Sequence, residues 1–431
     1  MGKSNRFVLL EKWIAFLVLF LVLLISNRMT WLCVLEIDMP LFGCWYGSRT
    51  NELFLYIMAL VLVILSLTFN GEVRKKYYEV WYRNKWLILF LFFCLLSLIW
   101  TIDWIRTVYK SLLVIISTLV AVYLGTRYRA HKLPKIFVIF SFVVISLSYL
   151  LVLFLPDAAI MSTPWHTGSW RGAFSHRNYM GSIIAYGNIL LLIMIFVGKE
   201  IRLKSLYVLF YFLSWGLIVL SRSATGMILA VLLNAVLFTY LAFLKWGQLL
   251  RPRHYKLIVG TLAVLGITLV VNMNRLLGLL GRDISFSGRI PLWKYLTGEV
   301  LKHNLWLGYG FGAIWDYLVF RTKAAITLGW PFEVVNSHNG FVDIFVDLGL
   351  LGLILFLLVT WQVIYRVFLS IKKERTLASS WLLVTAFYVI VSNITISFFF
   401  NFETFHWVLW VIVASVTSLP NKVAENTISQ P

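Results

Sequence analysis

The chain predicts an all-α polytopic membrane protein with about 12 transmembrane helices, and three observations carry that prediction. Of its 431 residues, 61% are hydrophobic and 13% charged, with a mean hydropathy of +0.86. A chain so poor in charge does not cover a water-facing surface, so most of it sits in lipid. Its apolar runs are long, rich in Leu, Ile, Val and Phe, and free of the alternation that marks membrane strands. Hydrocarbon offers no partner for a backbone N–H or C=O, and helices satisfy both internally.

In chain order the spans centre on 13–26, 53–69, 86–101, 112–125, 136–155, 179–197, 206–220, 227–244, 257–273, 341–367, 380–398 and 405–419. The first has a basic start, Lys3 and Arg6, but Asn27-Arg28-Met29 follows it in place of a small-residue cleavage site. It reads as an uncleaved first helix. Residues 1–273 thus hold spans one to nine, with an outer loop at 156–178. A long outer loop fills 274–338, and 339–431 hold the last three spans and a short tail.

Basic residues orient these spans. The loops on one side carry 24 of the 38 Lys and Arg, and the other side carries 14. With six of the 18 acids on the first side, the net charges are +18 and +2. The strongly basic side is expected to be cytoplasmic, which puts both termini there. The overall charge of +20 is then a topology signal, and no nucleic-acid partner is needed to explain it.

Three cysteines do not make a disulfide framework. Cys94 falls within the third span and reads as a packed small hydrophobe. Cys33 and Cys44 share the first outer loop, where a disulfide and two free thiols both remain open. Glu36 and Asp38 in that loop read as solvated acids, since no His or further acid has ligand spacing around them. No metal and no other cofactor is expected.

The outer loops are the places to build a site. In 274–338, Pro291 is expected to start an amphipathic helix whose apolar face holds Leu292, Trp293, Tyr295, Leu296, Val300 and Leu301, beside Lys294, Glu299 and Lys302. The glycines of Leu307-Gly308-Tyr309-Gly310-Phe311-Gly312 superficially suggest a phosphate loop, but no strand precedes them and no Lys-Ser/Thr follows. Tight backbone turns against the membrane account for them better. The outer tryptophans Trp165, Trp170, Trp306, Trp315 and Trp330 suit an aromatic belt, with sugar stacking as the other reading.

Arg222 is the leading candidate, because it stands where two apolar runs meet in Ser221-Arg222-Ser223-Ala224-Thr225-Gly226. A permanent charge at a membrane boundary is costly unless an anion holds it. Ser223 or Thr225 is expected to cap the next helix, adding a positive helix end to the guanidinium. Snorkelling to headgroups is the competing reading. Arg289 offers a second fork for phosphate oxygens. Arg171, His176 and Arg177 form an electropositive mouth before the sixth span, with Asn178 beside them. His338 stands at the mouth of the tenth span, followed by Asn339 and by Asp343 and Asp347, four residues apart and so on one helical face. A histidine there can take a proton from a sugar hydroxyl, with a carboxylate to orient it. No nucleophile elbow supports hydrolysis by a serine triad.

Taken in order, Arg171-Gly-Ala-Phe-Ser-His-Arg-Asn178, Ser221 to Gly226, Ser287-Gly-Arg-Ile-Pro-Leu-Trp293, Leu307 to Gly312 and Ser337-His-Asn-Gly-Phe-Val-Asp343, running on to Asp347-Leu-Gly349 and Gly352, resemble the O-antigen ligase and polymerase superfamily. The stretch from Gly288 to Gly352 looks most like its exopolysaccharide polymerase branch. The resemblance implies a GT-C-like, metal-independent, inverting glycosyltransferase of the bacterial inner (cytoplasmic) membrane, working on the extracytoplasmic side. Its donor would be a glycan on undecaprenyl diphosphate and its acceptor a glycan or a lipid, among membrane lipids and other polysaccharide assembly proteins. By position, Arg222 and Arg289 match the family's diphosphate-binding arginines and His338 its essential histidine. Arg171, His176, Arg177, Asn178, Asn339, Asp343 and Asp347 are the expected diphosphate or glycan contacts.

Polymerisation of lipid-linked repeat units into an exopolysaccharide or surface glycan is the first expectation. Ligation of a finished glycan to a lipid A-core, as in lipopolysaccharide, or to another acceptor is the second. Residues that would engage a lipid A-core acceptor are not recognisable downstream of His338. A lipid-linked glycan transporter ranks third, because charge concentrates at one edge instead of spreading through a central cavity.

Overall fold

A computed structural model describes residues 3–26, 49–128, 130–163, 166–198, 201–246, 289–330, 333–373, 376–395, 397 and 405–419. The helices are α1 (Lys3–Ser26), α2 (Arg49–Phe69), α3 (Gly71–Arg83), α4 (Lys85–Leu96), α5 (Trp104–Arg127), α6 (Leu133–Phe154), α7 (Arg177–Phe196), α8 (Lys204–Leu220), α9 (Ala224–Trp246), α10 (Arg289–His303), α11 (Leu318–Leu328), α12 (Gly340–Lys373), α13 (Leu377–Thr395) and α14 (Phe405–Ser418). The described residues contain no strand, only an isolated antiparallel bridge between Ile160 and Trp170. The all-α membrane class is therefore observed.

Seven described helices are long and apolar enough to cross a membrane, or eight if the bent pair α2–α3 is one span. The expected spans at 86–101 and 405–419 are occupied by shorter apolar helices, and the one at 13–26 by α1. The span expected at 257–273 lies outside the described residues, as do Cys33, Cys44, Glu36 and Asp38.

Helix α7 is the axis of the bundle: 83% of its apolar window is buried, against 22% for the window over α8. It packs against α6, α8, α9 and α13, and α14 packs against α5. Outward faces stay apolar, with Phe16, Phe20, Phe92, Ile139, Phe212 and Val231 all exposed. That surface suits acyl chains and would be untenable in water. Polar side chains inside the bundle bond across helices. Asn234 donates to Asn188 Oδ1 (2.9 Å), Asn188 donates to Ser214 Oγ (2.9 Å), and Tyr211 donates to Asn234 (3.0 Å), joining α7, α8 and α9. Cys94 is buried and free, as expected.

Two elements depart from expectation. The basic stretch between the second and third spans is helix α3, turned by 117° from α2. Asn70 caps it by accepting from Val73 N (3.1 Å). It buries Val73, Tyr77 and Val80 on one face while Glu72–Lys76 and Glu79–Arg83 pairs line the exposed side. Helix α10 starts at Arg289, ahead of Pro291, and buries Leu292, Leu296 and Val300, whereas Leu301 is exposed.

The element that shapes the site is α12. It is broken at Gly349 (φ 63°, ψ −163°), which releases backbone groups that a hydrocarbon surrounding would leave unpaired. The segment 305–310 takes them up. Leu350 and Leu351 donate to the carbonyls of Leu305 (2.9 Å) and Trp306 (3.2 Å), while Tyr309 and Gly310 donate to those of Val346 (3.1 Å) and Asp347 (2.8 Å). Gly308, Gly310 and Gly312 all have positive φ, so the tight turns expected of these glycines are present. Their function is to dock the turn into the helix break.

Candidate active site at one end of the bundle

The ends of α7, α8, α9, α10 and α12 that carry the candidate residues gather at one end of the bundle. The crossing of α7 and α9 is closed by glycine against glycine: a Cβ on Gly226 would sit 2.7 Å from the Gly181 Cα. Ser223 caps α9 by accepting from Gly226 N (3.2 Å) and donates to Asn178 Oδ1 (3.0 Å). Of the two expected caps, Ser223 and Thr225, Ser223 is the one used, and Asn178 is engaged in tying the two helix starts together.

Arg222 follows the last turn of α8 with φ 52°, a left-handed conformation in which glycine is the usual residue. Its side chain is exposed, reaching Thr167 O at 3.4 Å and packing over the Gly168 backbone. Its carbonyl accepts from Arg177 Nη1 (3.0 Å), which also reaches Ser169 Oγ (3.3 Å). Arg171 is held by its Nε on the Ala158 carbonyl (2.8 Å). The loop before α7 thus carries the basic mouth and packs it beside Arg222.

His338 is the other residue with left-handed backbone, φ 56°. Among the described residues, Arg222 and His338 are the two non-glycine residues with positive φ. The turn around His338 is held on every side. Asn336 Oδ1 accepts from His338 N (3.0 Å), Asp343 Oδ1 accepts from Ser337 N (2.9 Å), and Trp293 Nε1 donates to the Ser337 carbonyl (2.8 Å). Asn339 Oδ1 caps α12 through Phe341 N (3.0 Å) and Val342 N (3.3 Å). The side chains of Asn339 and Asp343 therefore hold the loop, and Asp343 orients the turn instead of the imidazole ring. Asp347 accepts from Gly312 N and so anchors the glycine turn in the helix break. Both aspartates are fully buried.

Electrostatics join the pieces. Burial pushes the His338 imidazole down to about 4, with Arg289 and then His176 adding to the shift. Burial likewise pushes His176 down to about 4, with His166, Arg177 and Arg171 contributing in that order. Burial also lowers the Arg289 guanidinium, which nonetheless stays charged at neutral pH. The His166 and His176 rings meet edge to face with centroids 5.3 Å apart. Arg289, His338, His176, Arg171 and Arg177 are thus electrostatic neighbours. Arg222 joins them through Arg177 and the 167–168 turn.

The sequence reading missed His166, Gly168, Ser169 and Asn336, and placed Trp293 only on the apolar face of its helix. A lone histidine or serine in a loop carries no periodicity or spacing signal. His166, Gly168 and Ser169 become part of the site because residues 166–176 fold back onto the end of α8, where Trp170 N donates to the Leu220 carbonyl (3.1 Å), and Asn336 and Trp293 join it through their hydrogen bonds to the His338 turn. Trp315 is buried, Trp306 is exposed, and Trp165 lies outside the described residues. No cluster of three His, Cys, Asp or Glu side chains suited to a metal occurs among the described residues.

The fold and the site together define a polytopic helical membrane protein with a cluster of arginines and neutral histidines at one end of its bundle. Residues 208–357, which contain Arg222, Arg289 and His338, match the model of the O-antigen ligase family, and this match supports placement in the O-antigen ligase/polymerase superfamily. The match suggests membrane glycan ligase or polymerase activity. No curated protein matches the chain.

Proposed function

We propose that the protein is an inverting glycosyltransferase that polymerises glycan repeat units carried on undecaprenyl diphosphate, acting on the extracytoplasmic side of the bacterial inner membrane. The carrying observation is that Arg222 and His338, from motifs over a hundred residues apart, hold the two strained non-glycine backbones among the described residues and are linked into one basic cluster through Arg177 and His176. Strain of order 1–3 kcal/mol persists where surrounding structure enforces it, and functional sites are where it collects.

The chemistry asks little of the protein beyond charge. The acceptor hydroxyl oxygen forms a bond to C1 of the donor sugar as the C1–oxygen bond to phosphate breaks. The electron pair leaves with the diphosphate, and the hydroxyl proton passes to His338. Arg222 and Arg289 stabilise the charge that develops on the leaving oxygens. A neutral imidazole is free to accept the proton, and the arriving diphosphate raises its basicity by adding negative charge beside it. The Asp343-anchored turn keeps the ring in place while this happens.

The name of the matched family favours a second reading, transfer of the finished glycan to a separate acceptor. Purified protein in bilayers, given lipid-diphosphate oligosaccharide with and without a candidate acceptor, separates the two. A ladder of repeats on the carrier marks the polymerase, and a shifted acceptor marks the ligase. Absence of both products sinks the proposal. His338→Ala and Arg289→Lys should each lower turnover by roughly 10²–10³, whereas a transporter would keep moving carrier across the bilayer in both variants.

A further inference from the structure

His176 has a feature that the transfer chemistry above does not use. It sits at the N-cap of α7 in extended backbone (φ −149°, ψ 146°), and its Nδ1 accepts from Asn178 N at 3.1 Å. A backbone N–H only donates, so Nδ1 must present its lone pair, and in the neutral ring the proton then sits on Nε2. The helix thereby selects a single tautomer. Protonating Nδ1 would break the cap, and burial together with the nearby His166, Arg177 and Arg171 opposes a positive ring. Among the described residues, Nε2 has no hydrogen-bond partner. The half-buried ring thus has one nitrogen committed to the helix and one N–H donor in the cluster that contains His338 and Arg289.

We propose that His176 is a tautomer-locked, neutral donor whose Nε2–H binds a non-bridging oxygen of the lipid diphosphate beside Arg222 and Arg289. The inference deepens the proposed function and rests on it. A neutral donor adds an oriented hydrogen bond without adding another cation to a crowded basic cluster, where a fifth positive charge would repel the four arginines. The role differs from that of His338: His176 binds and never carries the acceptor's proton.

Two amide substitutions separate the nitrogens. His176→Asn places an amide oxygen near the Nδ1 position, where Asn is a good cap, and removes the Nε2 donor. His176→Gln places an amide N–H near Nε2 and removes the cap acceptor. Binding of undecaprenyl diphosphate to wild type and both variants in nanodiscs, with thermal unfolding measured in parallel, is the test. His176→Asn should unfold like wild type yet bind the diphosphate roughly 10- to 100-fold more weakly, the effect of one lost hydrogen bond to a charged group. His176→Gln should unfold at lower temperature but regain most of that affinity.

Wild-type affinity in His176→Asn overturns the inference, as does an equal loss of affinity in both variants. A loss seen with phosphatidylglycerol and absent with the diphosphate gives the donor to a membrane headgroup and also overturns it. Failure of wild type to bind undecaprenyl diphosphate at all brings down the proposed function and this inference together. Equal binding by wild type and His176→Asn sinks the inference alone.

Discussion

At the scale of single residues, the site is marked by backbone conformation as much as by charge. Arg222 occupies the position after a helix where glycine would relieve strain, and His338 repeats the pattern in its turn. A left-handed arginine costs about 1 kcal/mol or more, and what it gains is direction: its guanidinium is laid over the 167–168 turn. Arg222→Gly should therefore leave the unfolding midpoint nearly unchanged, because the relief of strain offsets the extra unfolded-chain entropy of glycine, about 0.5–1 kcal/mol. Transfer activity should nevertheless fall at least 10²-fold. Retained turnover in a well-folded Arg222→Gly protein would remove Arg222 from the chemistry.

At the scale of elements, the broken helix α12 and the glycine turn docked in it form one unit. Asp347 holds the turn through Gly312 N, Asp343 holds the His338 loop through Ser337 N, and both carboxylates project from the same short stretch before the break. Four backbone hydrogen bonds between 305–310 and 346–351 make the geometry of the break depend on glycine at position 308, where a Cβ would lie 2.6 Å from the Val346 carbonyl oxygen. That neighbour is backbone and cannot swing aside. Gly308→Ala should lower thermal stability by more than the left-handed penalty of about 1–2 kcal/mol and reduce activity with it. Gly298→Ala, inside α10 with nothing within 4 Å of the new Cβ, should instead stabilise by about 0.5–1 kcal/mol. If both changes behave alike, the docked turn is not what supports the site.

Across the whole molecule, the end of the bundle away from the site is tied by a buried charge pair. Glu11 on α1 accepts from Arg127 Nη2 at 2.6 Å in a two-pronged pair, and Ser66 on α2 bridges Glu11 (3.2 Å) to Tyr123 (2.7 Å) on α5. Glu11 is 4% exposed and Arg127 21%, so removing one partner leaves a charge with little water. Glu11→Ala should cost about 3 kcal/mol in unfolding measurements, while Glu11→Leu combined with Arg127→Met should recover much of that loss. A single variant as stable as wild type would show that the pair adds nothing to packing of α1. The Glu11–Arg127 pair thus ties one end of the bundle, while arginines and neutral histidines gather at the other.

By itself the sequence determined the membrane class, the position of each described span, the choice of Ser223 or Thr225 as the α9 cap and the group of residues from which the basic cluster is drawn. Those properties follow from local quantities: apolar run length, loop charge, and short motifs read along the chain. Tertiary structure alone decided how they are used. It assigned Asn178, Asn339 and Asp343 to holding loops, turned a basic loop into the helix α3, and brought His166, Ser169 and Asn336 into the site. It also determined that the glycine turn repairs a helix break more than a hundred residues from the first arginine motif. A side chain's partner depends on which distant backbone groups lack one after the chain has packed, and spacing along the sequence carries no record of that.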